Sequence, residues 1–266
     1  MSSGSEQGGA PAPRPAATVV LLRRAGEGME VLLMRRVRSM GFAPGAYVFP
    51  GGGVDERDAA GDLPWTGPSP EEWAAVLGVD VPRARALVCA AVRETFEETG
   101  VLLAGGPGSD GLVLDTTSEE WERDRLGLID RSRSFTEVLS RRGLVLRSEW
   151  LRAWSRWITP IGEKRRFDTW FFAAELPRGQ LSRDVGGEAD LTRWIDPALV
   201  EEEWSRGRMP MLPPTLVTCG QVAECGTLAG VRSAKRDIVA IEPEVRVVDG
   251  RLRVFAPDGI DYPLPS

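Results

Sequence analysis

Between Asp80 and Gly100 lies a segment whose two sides cannot share one environment. Read as a helix, it turns about 100° per residue, so Glu94, Glu97 and Glu98 project from one arc. Val88, Cys89, Val92 and Phe96 point the opposite way. The apolar side must be buried against other structure. The acidic side repels itself unless water or cations relieve it. Asp80 and Pro82 supply a cap and a first-turn proline, and Gly100 supplies the stop.

Most glutamate-rich helix faces are solvated surface with no ligand. Here the company they keep points elsewhere. Upstream stands Phe49-Pro50-Gly51-Gly52-Gly53, a strand running into a glycine turn. Arg93 sits one residue before Glu94 and four before Glu97, placed to pin either carboxylate. Three hard oxygen ligands, Glu94, Glu97 and Glu98, suit magnesium or manganese and would not select zinc.

Composition narrows the chemistry further. The 266 residues contain no histidine, which removes Ser-His-Asp and Cys-His schemes and histidine-ligated zinc. Cys89, Cys219 and Cys225 have neither zinc-ligand spacing nor a disulfide framework, so a reducing compartment is expected. A net charge of −6 argues against a nucleic-acid binder held by bulk electrostatics. No stretch approaches a membrane span. Residues 1–16, rich in Ser, Gly, Ala and Pro, read as a disordered leader, and a cytoplasmic location is expected.

Along the chain, Thr18–Leu22 and Glu30–Met34 read as strands of a hairpin, and Ala46–Phe49 as a short strand before the glycines. Residues 59–81 read as an insertion with one helix from Ser69 to Gly78. Val101–Leu103 is expected to be a strand, residues 118–142 to be helical, and 157–160 and 166–172 to be two paired strands. Another strand covers Leu191–Ile195, helices follow Asp196-Pro197 and Pro213-Pro214, and residues 241–266 form a closing hairpin and tail on the same domain. The mixture implies an α+β domain over 17–240, with helices on both faces of a mixed sheet.

Arg93-Glu94-x-x-Glu97-Glu98-x-Gly100-Val101, with Gly51-Gly52 ahead of it, resembles the Nudix box. The spacing from Gly52 brings Asp58 where the family has glutamate, and Thr95 replaces an aliphatic residue. Between Asp58 and Arg93 lie 34 residues (93 − 58 − 1) instead of the family's usual seven or so. A long interruption at this place resembles the coenzyme A diphosphatase branch. Leu32-Leu33-Met34-Arg35-Arg36, Gly41-Phe42-x-Pro44-Gly45, Trp157-Ile158-Thr159-Pro160 and Arg166-Phe167-Asp168-Thr169-x-Phe171-Phe172 extend that likeness.

The resemblance implies a Nudix-type α/β/α sandwich with a central mixed sheet, an insertion in the box and extra C-terminal helices. It implies Mg2+ or Mn2+ on Glu94, Glu97 and Glu98, with Arg93 holding the carboxylates and Glu94 either a ligand or the water-orienting base. Gly51, Gly52, Arg36 and Phe42 would contact substrate, Tyr47 stands beside them as an adenine-stacking candidate, and Asp58 and Glu188 are further acidic candidates. Asp58 would add an outer-shell ligand or be an exposed loop residue, and Arg166 with Asp168 would form an ion pair. The implied reaction splits coenzyme A or acyl-coenzyme A. ADP-ribose or NADH as substrate, or a non-catalytic Nudix-fold sensor, are the alternatives. The expected partner is a small nucleotide, with neither nucleic acid nor membrane, in a monomer or a homodimer.

Overall fold

The computed structural model describes residues 11–39, 43–59, 63–108, 113–184, 189–256 and 261–263. β1 (Arg14–Ala25) and β2 (Gly28–Arg36) form a hairpin, followed by β3 (Tyr47–Val48), β4 (Gly51–Gly53) and the short α1 (Glu56–Ala59). β5 (Trp65–Thr66) and α2 (Pro70–Leu77) precede the long α3 (Val81–Thr99). β6 (Ala104–Gly105), α4 (Glu119–Ile129), α5 (Phe135–Arg141) and β7 (Val145–Arg147) come next. β8 (Leu151–Ile158), β9 (Phe167–Glu175) and β10 (Ala189–Ile195) complete most of the main sheet. α6 (Val200–Ser205), α7 (Pro213–Glu224), α8 (Leu228–Ser233), β11 (Ala240–Ile241), β12 (Glu244–Val248), β13 (Arg251–Phe255) and β14 (Asp261–Pro263) close the chain.

The main sheet runs β10-β2-β1-β9-β8-β11, with β3 paired to β2 and β4 to β1. It is mixed: β1 and β9 are parallel, while β1–β2, β8–β9 and β10–β2 are antiparallel. Its central strands are continuous apolar runs because both faces are buried. Alternation then divides them between two cores. Val19, Leu21, Leu32, Trp170 and Phe172 join the core under α2 to α5. Val20, Leu22, Val31, Leu33 and Phe171 join the one under α6 to α8. This is the α/β/α sandwich anticipated above. No helix among the described residues is long and apolar enough to cross a membrane.

Several local expectations change. β1 begins at Arg14, inside the stretch read as leader. Val101–Leu103 is a fully buried loop, not a strand. Its backbone is satisfied by a side chain: Gln180 accepts from Leu102 N at 2.8 Å and donates to Leu102 O at 3.0 Å. Residues 118–142 form two helices, because Arg131 adopts φ +63° and Ser134 with Glu137 starts a new capping box. The insertion helix α2 has its predicted capping box at Ser69 and left-handed Gly78. The tail hairpin gains a third strand, β14.

Candidate active site

The helix α3 starts and stops where its caps require. Asp80 Oδ1 accepts from Arg83 N at 2.8 Å, and Gly100 turns the chain at φ +72°. Val88, Cys89, Val92 and Phe96 are buried in the core. Thr95, at an inward position, is tolerated because its hydroxyl donates to Ala91 O at 2.7 Å.

Against the acidic side lies β4, paired antiparallel with Ala16–Thr18 of β1. Gly51 N donates to Glu98 Oε2 at 2.8 Å. A Cβ on Gly52 would stand 2.6 Å from the Glu94 carboxylate carbon, and one on Gly51 would stand 2.4 Å from Ala17 O. Gly51 has no room for a side chain because the backbone of β1 lies against it, whereas a side chain at Gly52 would push the Glu94 carboxylate aside.

Arg93 organises the carboxylates. Its Nη1 donates to Glu94 at 2.8 Å and Glu97 at 3.0 Å, and its Nη2 reaches Gly53 O at 3.0 Å. The far edge of the guanidinium grips Asp58 through Nε and Nη2 at 2.8 and 2.9 Å. Asp58 is therefore not an exposed loop residue. It is 3% exposed, on α1, and both oxygens are engaged by Arg93. The two halves of the interrupted motif rejoin through this ion pair. Cys89 lies behind it, its sulfur 3.5 Å from Asp58 Oδ1, and burial pushes its thiol well above the usual range.

Burial pushes the Glu94 carboxyl up to about 7; the Arg93 charge opposes that rise and Glu97 adds to it. Glu97 is also raised, chiefly by burial, with Arg93 again opposing. For Arg93, burial works against the charge, but hydrogen bonding to Asp58 and the charges of Glu94 and Asp58 outweigh it, so its pKa rises.

Glu94, Glu97 and Glu98 line one open cavity of about 510 Å³. Arg14, Arg57 and Arg131 line it too, and so does Asp184. Asp55 clamps Arg57 through paired bonds of 3.1 Å, which hold the Asp55 carboxyl down at about 2. Arg57 also donates to Arg131 O at 3.0 Å, tying the α4–α5 turn to the site. Among the described residues, no three His, Cys, Asp or Glu side chains enclose a point that could hold a metal. Glu94 and Glu97 are turned onto Arg93, and Glu98 onto Gly51, so rotation of these side chains is required to bring their oxygens onto one ion. The donor set is all carboxylate oxygen, the chemistry that suits a hard divalent cation.

The remaining candidates fall elsewhere. Arg36, at the end of β2, lines a second, apolar cavity on which Gly51 and Gly52 also border. Tyr47 is 5% exposed within the second core, so it packs and does not stack. Phe42 and Glu188 lie outside the described residues; Asp184 adds a further carboxylate to the acidic cavity. Arg166 and Asp168 do not pair. Asp168 bonds Arg156 on β8 at 2.8 and 2.7 Å, while Arg166 bonds Glu242 and Thr159 O. Arg14, Arg57, Arg131 and Asp184 were not legible as site residues, since an arginine-rich chain gives single arginines no weight.

The family described as the NUDT19 Nudix domain matches residues 71–222, more than half of the chain. The chain belongs to this Nudix family. Among curated proteins it is 28% identical over 217 residues to acyl-coenzyme A diphosphatase NUDT19 of Xenopus laevis, covering 70% of this chain and 57% of that protein. It is 29% identical over 240 residues to the Homo sapiens protein of that name, covering 76% and 63%. The chain thus spans about three-fifths of these relatives. A crystal structure of a NUDIX hydrolase from Alicyclobacillus acidocaldarius superposes with a TM-score of 0.69 at 26% identity, over 85% of this chain and 98% of that one. The Nudix fold is thereby shown over 85% of the chain.

Proposed function

We propose that the chain is a metal-dependent diphosphate hydrolase acting on coenzyme A or acyl-coenzyme A. It would release adenosine 3',5'-bisphosphate and (acyl-)phosphopantetheine. The observation that carries the reading is the seating of the Gly51–Gly53 strand against Glu94 and Glu98, in a cavity that four arginines also line. The substrate class follows the similarity to the acyl-coenzyme A diphosphatases of Xenopus laevis and Homo sapiens.

Glu97 and Glu98, with Glu94, would hold Mg2+ or Mn2+, which when bound screens the diphosphate and makes a bound water easier to deprotonate. Arg93 holds Glu94 and Glu97 in place through its own anchor on Asp58. Glu94 either joins the ion's ligands or orients the attacking water. Arg14, Arg57 and Arg131 meet phosphate oxygens. Water adds at one phosphorus and the bridging oxygen leaves with the other phosphate.

The test is hydrolysis with added Mg2+ or Mn2+, with product masses, across coenzyme A, acyl-coenzyme A, ADP-ribose and NADH. Coenzyme A substrates should dominate, and Glu97→Gln or Glu98→Gln should lower kcat at least about 100-fold. Full activity in both variants refutes the site. Preference for ADP-ribose refutes the substrate.

A further inference from the structure

The second cavity lies against the opposite side of β4 and encloses about 430 Å³, within the range of about 300–1,000 Å³ usual for small-molecule sites. Gly53 and Phe167 line both cavities, so the two adjoin at the end of the glycine strand. Its walls are largely aliphatic, aromatic and proline side chains: Phe49 and Phe171 from the sheet, Pro213 and Pro214 from α7, Val245 and Val254 from the C-terminal hairpin. Polar groups are few: the threonines 18, 159, 169 and 215, Arg36 and Arg165 with Glu163.

Two of the sequence stretches that the catalytic reading does not use converge here. Trp157, Ile158, Thr159 and Pro160 line the cavity, as do Phe167, Thr169 and Phe171. Trp157 is 4% exposed, yet its Nε1–H meets no acceptor among the described residues. A buried indole N–H ordinarily finds a partner. Trp157 forms part of the cavity wall, and a shift of its ring would let this donor meet a ligand that brings a carbonyl with it.

We infer that this cavity receives the S-acyl-pantetheine arm of the substrate: an elongated chain carrying amide carbonyls and ending in an apolar acyl group. The assignment rests on the acidic cavity being the diphosphate site, since the shared wall at Gly53 and Phe167 is what places the arm here. Amide carbonyls along the arm would meet the Trp157 indole and the threonine hydroxyls. The acyl end would lie toward Val245 and Val254, which makes the hairpin a determinant of chain length.

Direct binding of S-octanoyl-pantetheine, which lacks the diphosphate, tests this by calorimetry. It should bind wild type and Glu97→Gln alike, and Trp157→Phe should weaken it about fivefold to tenfold through the lost donor. Val245→Trp, at a half-exposed position, narrows the far wall. It should raise KM for octanoyl- and longer acyl-coenzyme A about tenfold or more, with free coenzyme A and ADP-ribose shifting less than about twofold. No binding of S-octanoyl-pantetheine to wild type overturns the assignment. A parallel loss for ADP-ribose in Val245→Trp overturns it too, because the nucleotide would then occupy the cavity. Binding of S-octanoyl-pantetheine by a protein that hydrolyses no coenzyme A supports the cavity and overturns only the diphosphatase reading.

Discussion

Replacing Asp58 by asparagine removes one charge, preserves volume and separates an anchor from a ligand. The Asp58 and Arg93 side chains are 2% and 10% exposed, and two charge-assisted bonds of 2.8 and 2.9 Å join them. Removing one partner of such a buried pair costs roughly 3–5 kcal/mol. Arg93 keeps Glu94, Glu97 and Gly53 O, so the lower end applies, about 3 kcal/mol. With a urea slope of about 3 kcal/mol/M, the midpoint should fall by about 1 M. Mn2+ affinity, measured separately by calorimetry, should change less than about threefold, because Asp58 holds the arginine and not the ion. In a cycle with Arg93→Met, the double variant should lose less than the two singles summed. An unchanged midpoint together with a large drop in metal affinity would refute the anchor reasoning and restore Asp58 as an outer-shell ligand.

The Glu94 carboxyl, near 7 in the fold against an ordinary 4.5, makes the metal-free native state bind more protons than the unfolded chain between those values. Stability should therefore fall as pH rises from about 5 to 7.5, by at most about 3 kcal/mol, with added Mg2+ offsetting the loss. Thermal melts of wild type and Glu94→Gln check this, and identical pH slopes would sink it. Gly52→Ala pushes its methyl onto the Glu94 carboxylate, the end of a flexible side chain; kcat should drop at least about tenfold while stability changes by less than about 1 kcal/mol, and near-normal kinetics would contradict the close contact. Asp124 is fully buried and receives Arg133, Arg141 and Arg142; Asp124→Asn should cost about 3 kcal/mol in urea denaturation while leaving KM within about twofold.

Features controlled by neighbouring residues were legible. Asp80, Pro82 and Gly100 bound α3, and Ser69 with Gly78 bounds α2, because caps act within one turn. What escaped depended on partners far along the chain. Val101–Leu103 has a strand's apolar composition, but Gln180 replaces the neighbouring strand, and no local pattern announces that. Asp168 was matched with Arg166 by proximity in sequence, whereas strand pairing offers it Arg156. The glutamate arc was visible from helical periodicity; the bond from Arg93 to Asp58 was not, because 34 residues intervene (93 − 58 − 1). Arg14, Arg57 and Arg131, which line the acidic cavity beside Arg93, come from a strand, a short helix and a turn, and only folding collects them.

The ion pair across the insertion has a consequence in chain entropy. Closing a loop of 34 residues (93 − 58 − 1) instead of about seven costs only roughly 1.4 kcal/mol more, since the penalty grows with the logarithm of length. A two-bond clamp between Asp58 and Arg93 is of the size needed to offset that difference. The motif is thus held together by contact and not by spacing, and its two ends tolerate almost any length of chain between them. Growth at this point could add β5 and α2 without disturbing the carboxylates, so the insertion is free to diverge while the chemistry beside it stays fixed.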